Sequence, residues 1–194
     1  MDEQEILSWL KQNKPSIYYL YISSKSLIKN SNVRDVSKLY AEANEFIQRD
    51  WINKNTNVSV VKREDYEHSG TASGFDLIST DGKLKIQSKL RYGGLHIEQT
   101  RRNSTKNNKA TNSNTGYTRY AIGEADVYLF SKPPTIESYA DIDSWDFIAI
   151  PESELIDKNY PGYLLSGVPK KIWTQFLGKA KDVIENEYAN NSKP

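Results

Sequence analysis

The sequence contains no cysteine and only two histidines, His68 and His96. A chain without cysteine forms no disulfide bond and no thiolate metal site, and two isolated histidines are too few for a zinc cluster. The sequence also has no phosphate-cradling glycine loop, no nucleophilic serine elbow and no paired-histidine metal helix.

Long hydrophobic runs and a basic amino-terminal segment are also missing. No apolar stretch approaches the ~20 residues that a membrane helix needs, and residues 1–5 are acidic, unlike the start of a secretory signal. Hydrophobic residues make up 37% of the chain and charged residues 26%, as is typical of a soluble globular protein. We therefore expect a cytoplasmic protein without membrane association, folded as one domain over residues 1–194.

The chain has little net charge, formally +1, so its overall charge does not indicate nucleic-acid binding. The basic residues are unevenly distributed, because residues 99–123 include five of them and no acidic residue. This composition predicts a polar loop at residues 100–120 that contacts DNA phosphates and base edges, with a solvated loop as the alternative. The predicted DNA-binding residues are Arg91, Arg101, Arg102, Asn103, Lys106, Asn107, Lys109 and Arg119.

Two short apolar stretches joined by a tight turn are the most informative part of the sequence. Residues 74–79 are predicted to form a strand, residues 80–83 a turn, and residues 84–90 the returning strand. The turn contains Asp-Gly, which is a strong hairpin signal between two strand-like runs.

Three polar side chains can converge across this hairpin. Side chains alternate along a strand, so Lys85, Gln87, Lys89 and Arg91 share one face of the returning strand. Asp76 on the first strand can then meet Gln87 and Lys89. One carboxylate, one amide oxygen and one ammonium group suit a magnesium site beside a phosphate.

The remaining elements alternate between helices and strands. We predict helices at residues 2–14, 36–51 and 169–188, strands at 58–61, 125–130 and 145–150, and a strand or buried loop at 18–22. This order indicates an α/β fold with a central mixed β-sheet flanked by helices.

The hairpin residues resemble the motif of the PD-(D/E)xK nuclease superfamily, which includes most type II restriction endonucleases. In that family, an acidic residue on one strand is followed by an acid-x-Lys tripeptide on the next. Asp76 matches the first acid and Lys89 matches the lysine, whereas Gln87 stands where the second acid usually stands. Phe75 replaces the family's proline. The glutamine is a minority variant that removes one negative charge from the metal site.

The resemblance implies a restriction-endonuclease-like core and a Mg²⁺ cofactor held by Asp76 and Gln87. It implies that Lys89 activates the attacking water, and that a glutamate from the helix before the sheet joins the site. Glu42 and Glu45 are the candidates. Helical periodicity places Glu42 at the edge of the apolar stripe and Glu45 nearly opposite it, which slightly favours Glu42.

Other acidic and histidine residues are weaker candidates. Glu98 and Asp126 are predicted to lie near the site, whereas Glu64 is predicted to be a surface charge. The two histidines are interpreted as structural.

The resulting hypothesis is a homodimeric, Mg²⁺-dependent endonuclease that cleaves double-stranded DNA at a specific sequence, since palindromic cleavage calls for two symmetric copies. One alternative keeps the fold and changes the substrate: a repair, junction-resolving or nicking nuclease. Another is a catalytically degenerate DNA-binding module, because Gln87 weakens the metal site.

Overall fold

The structure is a computed structural model, and it describes residues 3–29, 36–66, 74–97, 120–135, 138 and 141–193. The helices are α1 (Glu3–Asn13), α2 (Pro15–Lys29), α3 (Val36–Asn55), α4 (Arg63–Tyr66), α5 (Lys170–Trp173) and α6 (Ala180–Asn191). The strands are β1 (Val60–Lys62), β2 (Leu77–Ser79), β3 (Lys85–Leu90), β4 (Val127–Lys132) and β5 (Asp146–Pro151). Short 3-10 turns cover Ile142–Ser144, Glu152–Leu155 and Thr174–Phe176.

The strands form one sheet in the order β1-β2-β3-β4-β5. Strands β3 and β4 pair in parallel, and the other neighbours are antiparallel. A parallel pair needs a long connection, and 36 residues (91–126) separate Leu90 from Val127. Helices α3 and α6 contribute to the core on one side of the sheet. The predicted α/β fold with a central mixed sheet and flanking helices is therefore confirmed.

The predicted hairpin is the β2–β3 pair. Its turn is closed by a hydrogen bond of 2.8 Å from the Gly82 amide to the Ser79 carbonyl, and Gly82 has a φ of 78°, which glycine adopts without strain. Asp81 accepts a hydrogen bond from the Ser79 hydroxyl at 2.7 Å. Strand β2 is shorter than predicted and begins at Leu77, so Asp76 lies directly before it.

Alternation along β3 and β4 separates two hydrophobic clusters on opposite faces of the sheet. Ile86 and Leu129 pack in the cluster that contains residues of α3 and α6. Tyr128 and Phe130 pack in the second cluster, and they stand opposite Gln87 and Lys89 in the parallel ladder. Because directly opposite residues share a face, these two β3 side chains lie on the side away from α3.

Helix α3 uses two faces rather than the single stripe that its sequence predicts. Ala43 and Ile47 pack with Tyr19 of α2, as apolar periodicity indicates. Asn44 and Gln48 are also buried, and their amides donate hydrogen bonds to groups on β3 and β4. The helix therefore meets the sheet partly through polar side chains.

The prediction of a strand or buried loop at residues 18–22 is wrong, because these residues belong to α2. Pro15 occupies the first helical position, where its missing N–H costs nothing. Tyr19 is buried against α3, so packing against another helix outweighs the strand preference of aromatic and β-branched residues.

The single closing helix predicted at 169–188 is also wrong. The structure has the short helix α5, a 3-10 turn and then α6. Gly178 adopts a φ of 70°, which interrupts the helical path between them. Periodicity matched both pieces because Ile172, Phe176 and Val183 all contact the core.

No helix in the described ranges combines the length and the apolar composition that crossing a membrane requires. Helix α3 is long, at 20 residues, but it carries several charged side chains.

Candidate metal centre

Asp76 and Gln87 meet where β2 begins. The Gln87 side-chain amide donates a short hydrogen bond to Asp76 Oδ2, and the Ser88 backbone amide donates to the same oxygen at 2.8 Å. Gln87 is buried and Asp76 is partly buried. The two residues predicted to bind a cation therefore have their polar ends in direct contact.

Lys89 lies on the same face as Gln87 and is also buried, with 8% of its surface exposed. Its ammonium group donates a hydrogen bond of 2.8 Å to the Tyr120 hydroxyl and lies 4.6 Å from the centre of that ring. The charges of Asp76 and Glu45 both act on it. The structure thus brings the lysine to the same group of side chains as the two predicted ligands.

Burial shifts the proton affinities of these groups. Burial raises the pKa of Asp76, although Lys89 and the Ser88 amide oppose the shift. Burial, followed by the charge of Asp76, raises the pKa of Glu45 to about 8. Burial lowers the pKa of Lys89 to about 8, against the attraction of Asp76. A buried base with a pKa near neutral is a common feature of functional sites, although ion-pair networks produce it too.

The two predicted helix glutamates meet at a lysine of β1. Lys62 Nζ lies 2.8 Å from Glu42 Oε1 and 3.1 Å from Glu45 Oε2. It is 3.9 Å from Glu64 Oε2 and 4.5 Å from the centre of the Phe46 ring. Burial works against the charge of Lys62, but the two closest carboxylates outweigh it and raise its pKa.

Helical periodicity slightly favours Glu42 over Glu45 as the residue that completes the site. Electrostatics favour Glu45 instead, because the charge of Asp76 raises the pKa of Glu45 and the charge of Glu45 acts on Lys89. The placement of Glu45 opposite the buried face is wrong, since α3 buries a second face toward the sheet. Glu64 is exposed, as predicted, although it approaches Lys62.

Two buried amides of α3 hold the strand that carries Gln87 and Lys89. Asn44 donates a hydrogen bond of 2.7 Å to the Ser88 hydroxyl. Gln48 donates to the Leu129 carbonyl at 2.9 Å and lies 3.3 Å from the Lys89 carbonyl. These contacts fix β3 relative to the helix that carries Glu45.

Sequence reasoning missed Lys62 and Glu124. Val58 and Val60 are buried at alternate positions, and continuing that alternation places Lys62 on the same inward face. That pattern was the available signal for Lys62. Glu124 lies against Gly74, where any Cβ would overlap its side chain, and its charge acts on Lys89. No comparable signal marked Glu124, which lies in a turn far from the motif in sequence.

The other candidates have structural roles or lie outside the described residues. Asp126 accepts a hydrogen bond of 2.7 Å from the Lys85 amide at the start of β3. Arg91 donates to the His96 carbonyl at 2.8 Å, and His96 forms a bridge with Gly167. The remaining predicted residues lie outside the described ranges: Glu98, Arg101, Arg102, Asn103, Lys106, Asn107, Lys109, Arg119 and His68.

The side chains at this site carry the oxygen atoms that a magnesium ion binds, but the amide of Gln87 is turned the wrong way to offer its oxygen. Asp76 and Glu45 offer carboxylate oxygens, which Mg²⁺ prefers. Gln87 directs its amide nitrogen toward Asp76. The side-chain amide must therefore rotate by about 180° before its oxygen can face a cation beside Asp76. With that rotation, Asp76 and Gln87 would hold the ion, and Glu45, whose charge interacts with that of Asp76, is the helix carboxylate that would join them.

A comparison of the chain with protein-family models finds no match, and a comparison with curated proteins finds no significant one.

Proposed function

We propose that this chain is a Mg²⁺-dependent endonuclease that cleaves double-stranded DNA in the manner of type II restriction enzymes. The observation that carries the proposal is the direct contact of Asp76 with Gln87, together with the charge interactions of Lys89 with Asp76 and Glu45. Asp76 directly before β2, Gln87 and Lys89 on β3, and Glu45 on α3 therefore interact with one another through a hydrogen bond and through charge. The proposal also rests on the resemblance of the hairpin to the PD-(D/E)xK motif.

In this mechanism Asp76 and Glu45 supply the anionic oxygens that hold the cation, and Gln87 supplies a neutral one. When bound, Mg²⁺ provides Lewis-acid stabilisation of the charge that develops on the phosphate. Lys89 orients the attacking water and accepts its proton, for which a pKa of about 8 is suitable near neutral pH. The water oxygen would bond to phosphorus in line with the 3′-oxygen, the P–O3′ bond would break to leave a 5′-phosphate, and the 3′-oxygen would take a proton from solvent.

Tyr120 positions the base in this scheme. Its hydroxyl accepts the hydrogen bond from Lys89, and its ring lies beside the ammonium group. Tyr120 in turn packs edge-on against the buried Tyr128 of β4, with the ring centres 6.0 Å apart. Contacts with two tyrosine rings in turn therefore orient the lysine, and proton transfer depends on such orientation.

The test is cleavage of a supercoiled plasmid in the presence of Mg²⁺. We expect Asp76→Asn and Lys89→Met to lower the cleavage rate by about 10²–10⁴-fold, the range that positioned acid–base groups contribute. Asp143→Asn and Lys181→Met are matched controls, because both residues lie on the exposed surface and should leave the rate unchanged.

Discrete fragments from a mapped plasmid would support a sequence-specific enzyme that acts as a homodimer. Nicking of branched DNA without discrete fragments would favour a repair or junction-resolving nuclease of the same fold. Equal cleavage by the parent protein and both site variants would contradict the mechanism.

One observation favours a second candidate, a DNA-binding module without nuclease activity. Asp76 Oδ2 already accepts hydrogen bonds from Gln87 and Ser88, so protein groups satisfy this oxygen without a cation. Duplex binding that is equal in EDTA and in Mg²⁺, with no cleavage in either, would support this candidate.

A further inference from the structure

Lys62 is the buried cation on the α3 side of the sheet. It stands opposite Leu77 in the β1–β2 pair, one residue from Asp76, and only 3% of its surface is exposed. Its neighbours at alternate positions, Val58 and Val60, are core residues. Burying an ammonium group in this setting is costly unless it is paired and hydrogen-bonded.

The ammonium group of Lys62 lies among three carboxylates that are spaced like the ligands of a metal ion. Oxygen atoms of Glu42, Glu45 and Glu64 lie within 4.8 Å of one another. Lys62 Nζ contacts the first two at 2.8 and 3.1 Å and approaches the third at 3.9 Å. The position that a cation would take between these carboxylates is therefore held by the protein's own cation.

A divalent ion entering this cluster has to displace Lys62 from its partners. The displaced ammonium would also leave the Phe46 ring, whose centre is 4.5 Å away. A buried charge that loses its partners is strongly unfavourable. Lys62 therefore opposes the entry of a second ion into this cluster, whereas the direct partners of Asp76 Oδ2 are the neutral amides of Gln87 and Ser88.

We propose that Lys62 is a positioning residue that serves as a built-in cation, which holds Glu45 toward Asp76 and limits the site to one Mg²⁺ per chain. This inference rests on the proposed function and adds the number of ions to it. Glu45 contacts Lys62 at 3.1 Å, and the backbone amide of Arg63, the residue after Lys62, donates a hydrogen bond of 2.9 Å to the Asp76 carbonyl. Glu42 is the partner of Lys62 and lies outside the magnesium ligands.

Lys62 supplies positive charge that a second ion would otherwise bring. Asp76, Glu42 and Glu45 are three carboxylates, and Lys62 and Lys89 are two ammonium groups. Loss of the Lys62 charge would leave two carboxylates of α3 without a cation. A second divalent ion is the natural replacement, because hard cations bind carboxylate oxygens.

The experiment counts bound Mn²⁺, as a spectroscopic probe for Mg²⁺, by titration with paramagnetic resonance detection of the free ion. The parent protein should bind one ion per chain, and Lys62→Met should bind two. The double variant Lys62→Met with Glu42→Gln should return to one ion, because it removes one carboxylate with the lysine. Lys181→Met, which removes a surface lysine 4.0 Å from Glu185, should also bind one.

Glu42→Gln alone keeps Lys62 in place and provides a test that does not depend on the folding of Lys62→Met. It should bind one ion, like the parent. Two ions on the parent and one on Glu42→Gln would overturn the inference, as would one ion on a folded Lys62→Met protein. Absence of any bound ion on the parent would instead overturn the proposed function, so the two failures are distinguishable.

Discussion

Lys62 and Lys89 are both buried lysines of the same sheet, yet their surroundings have opposite effects. Lys62 contacts the carboxylates of Glu42 and Glu45, which outweigh burial and raise its pKa. Lys89 donates to the neutral hydroxyl of Tyr120, and burial lowers its pKa to about 8. One lysine is therefore a fixed charge, whereas the other can change its charge near neutral pH.

The difference arises from the strand positions of the two residues. Lys62 belongs to the face of β1 that packs toward α3, where the glutamates are. Lys89 belongs to the opposite face of β3, where its neighbours in the ladder are aromatic. A fixed cation stabilises structure and orients ligands, and a titratable one can transfer protons.

The sharpest test of this comparison is the stability of the two Lys→Met variants. We expect Lys62→Met to lower the free energy of unfolding by ~3–5 kcal/mol, because it leaves the partly buried side chains of Glu42 and Glu45 without their partner. Lys89→Met should change it by less than about 1 kcal/mol, since the lost hydrogen bond is offset by relief from burying a charge. Guanidinium denaturation at pH 7 without divalent cations measures both values.

The control for this pair is Lys181→Met, whose exposed ion pair with Glu185 is expected to be worth little. If Lys89→Met lowered the free energy of unfolding as much as Lys62→Met or more, this would contradict the assignment of Lys62 as the fixed charge and Lys89 as the titratable one.

The second test concerns Glu45, which lies between the two lysines. Its folded-state pKa of about 8 is above the ordinary value of 4.5, so its protonated form is favoured in the folded protein. Its contribution to stability is full at low pH and is lost as the pH rises toward 8. In EDTA we expect the free energy of unfolding to fall by on the order of 2–3 kcal/mol across this window.

Glu45→Gln should flatten this pH dependence, because the amide does not titrate. The pKa of Asp76 is also raised, so its ionisation likewise lowers the free energy of unfolding as the pH rises. Lys89, with a pKa of about 8, affects the pH dependence of the free energy of unfolding mainly above pH 8. Denaturation curves at several pH values between 5 and 8 check the expectation, and identical slopes for the parent and Glu45→Gln would contradict it.

The sequence predicts the hairpin and the positions of its polar side chains, because turn residues and strand alternation over a few neighbouring residues determine both. Asp-Gly in the turn fixed the hairpin, and strand alternation placed Gln87 and Lys89 on one face with Asp76. The hairpin and mixed sheet are confirmed. Local pattern succeeds here because the residues that meet are close in sequence.

The parts that pattern could not predict depend on packing between distant segments. The charge of Glu45 acts on Asp76 and Lys89 because α3 packs the polar residues Asn44 and Gln48 against the sheet, and apolar periodicity does not count polar residues as buried. Lys62 was overlooked for a similar reason, since a lysine inside a core needs partners from another element. Helix α2 was misassigned because Tyr19 is buried by a neighbouring helix rather than by the sheet.

The smallest expected effect comes from Gln87→Glu, which restores the acid usual in the PD-(D/E)xK motif and changes only the Lys89 side of the comparison. An added carboxylate beside Asp76 should tighten Mg²⁺ binding by about tenfold, equivalent to ~1.4 kcal/mol. In EDTA the same variant should be less stable than the parent, because it loses the hydrogen bond to Asp76 and places two carboxylates side by side. Titration calorimetry with Mg²⁺, and denaturation with and without the ion, measure both changes.

Gln175→Glu is the matched control on the exposed surface. Unchanged affinity in Gln87→Glu would mean that residue 87 does not face the cation, and the ion would then have to be held by Asp76 and Glu45 without the β3 amide.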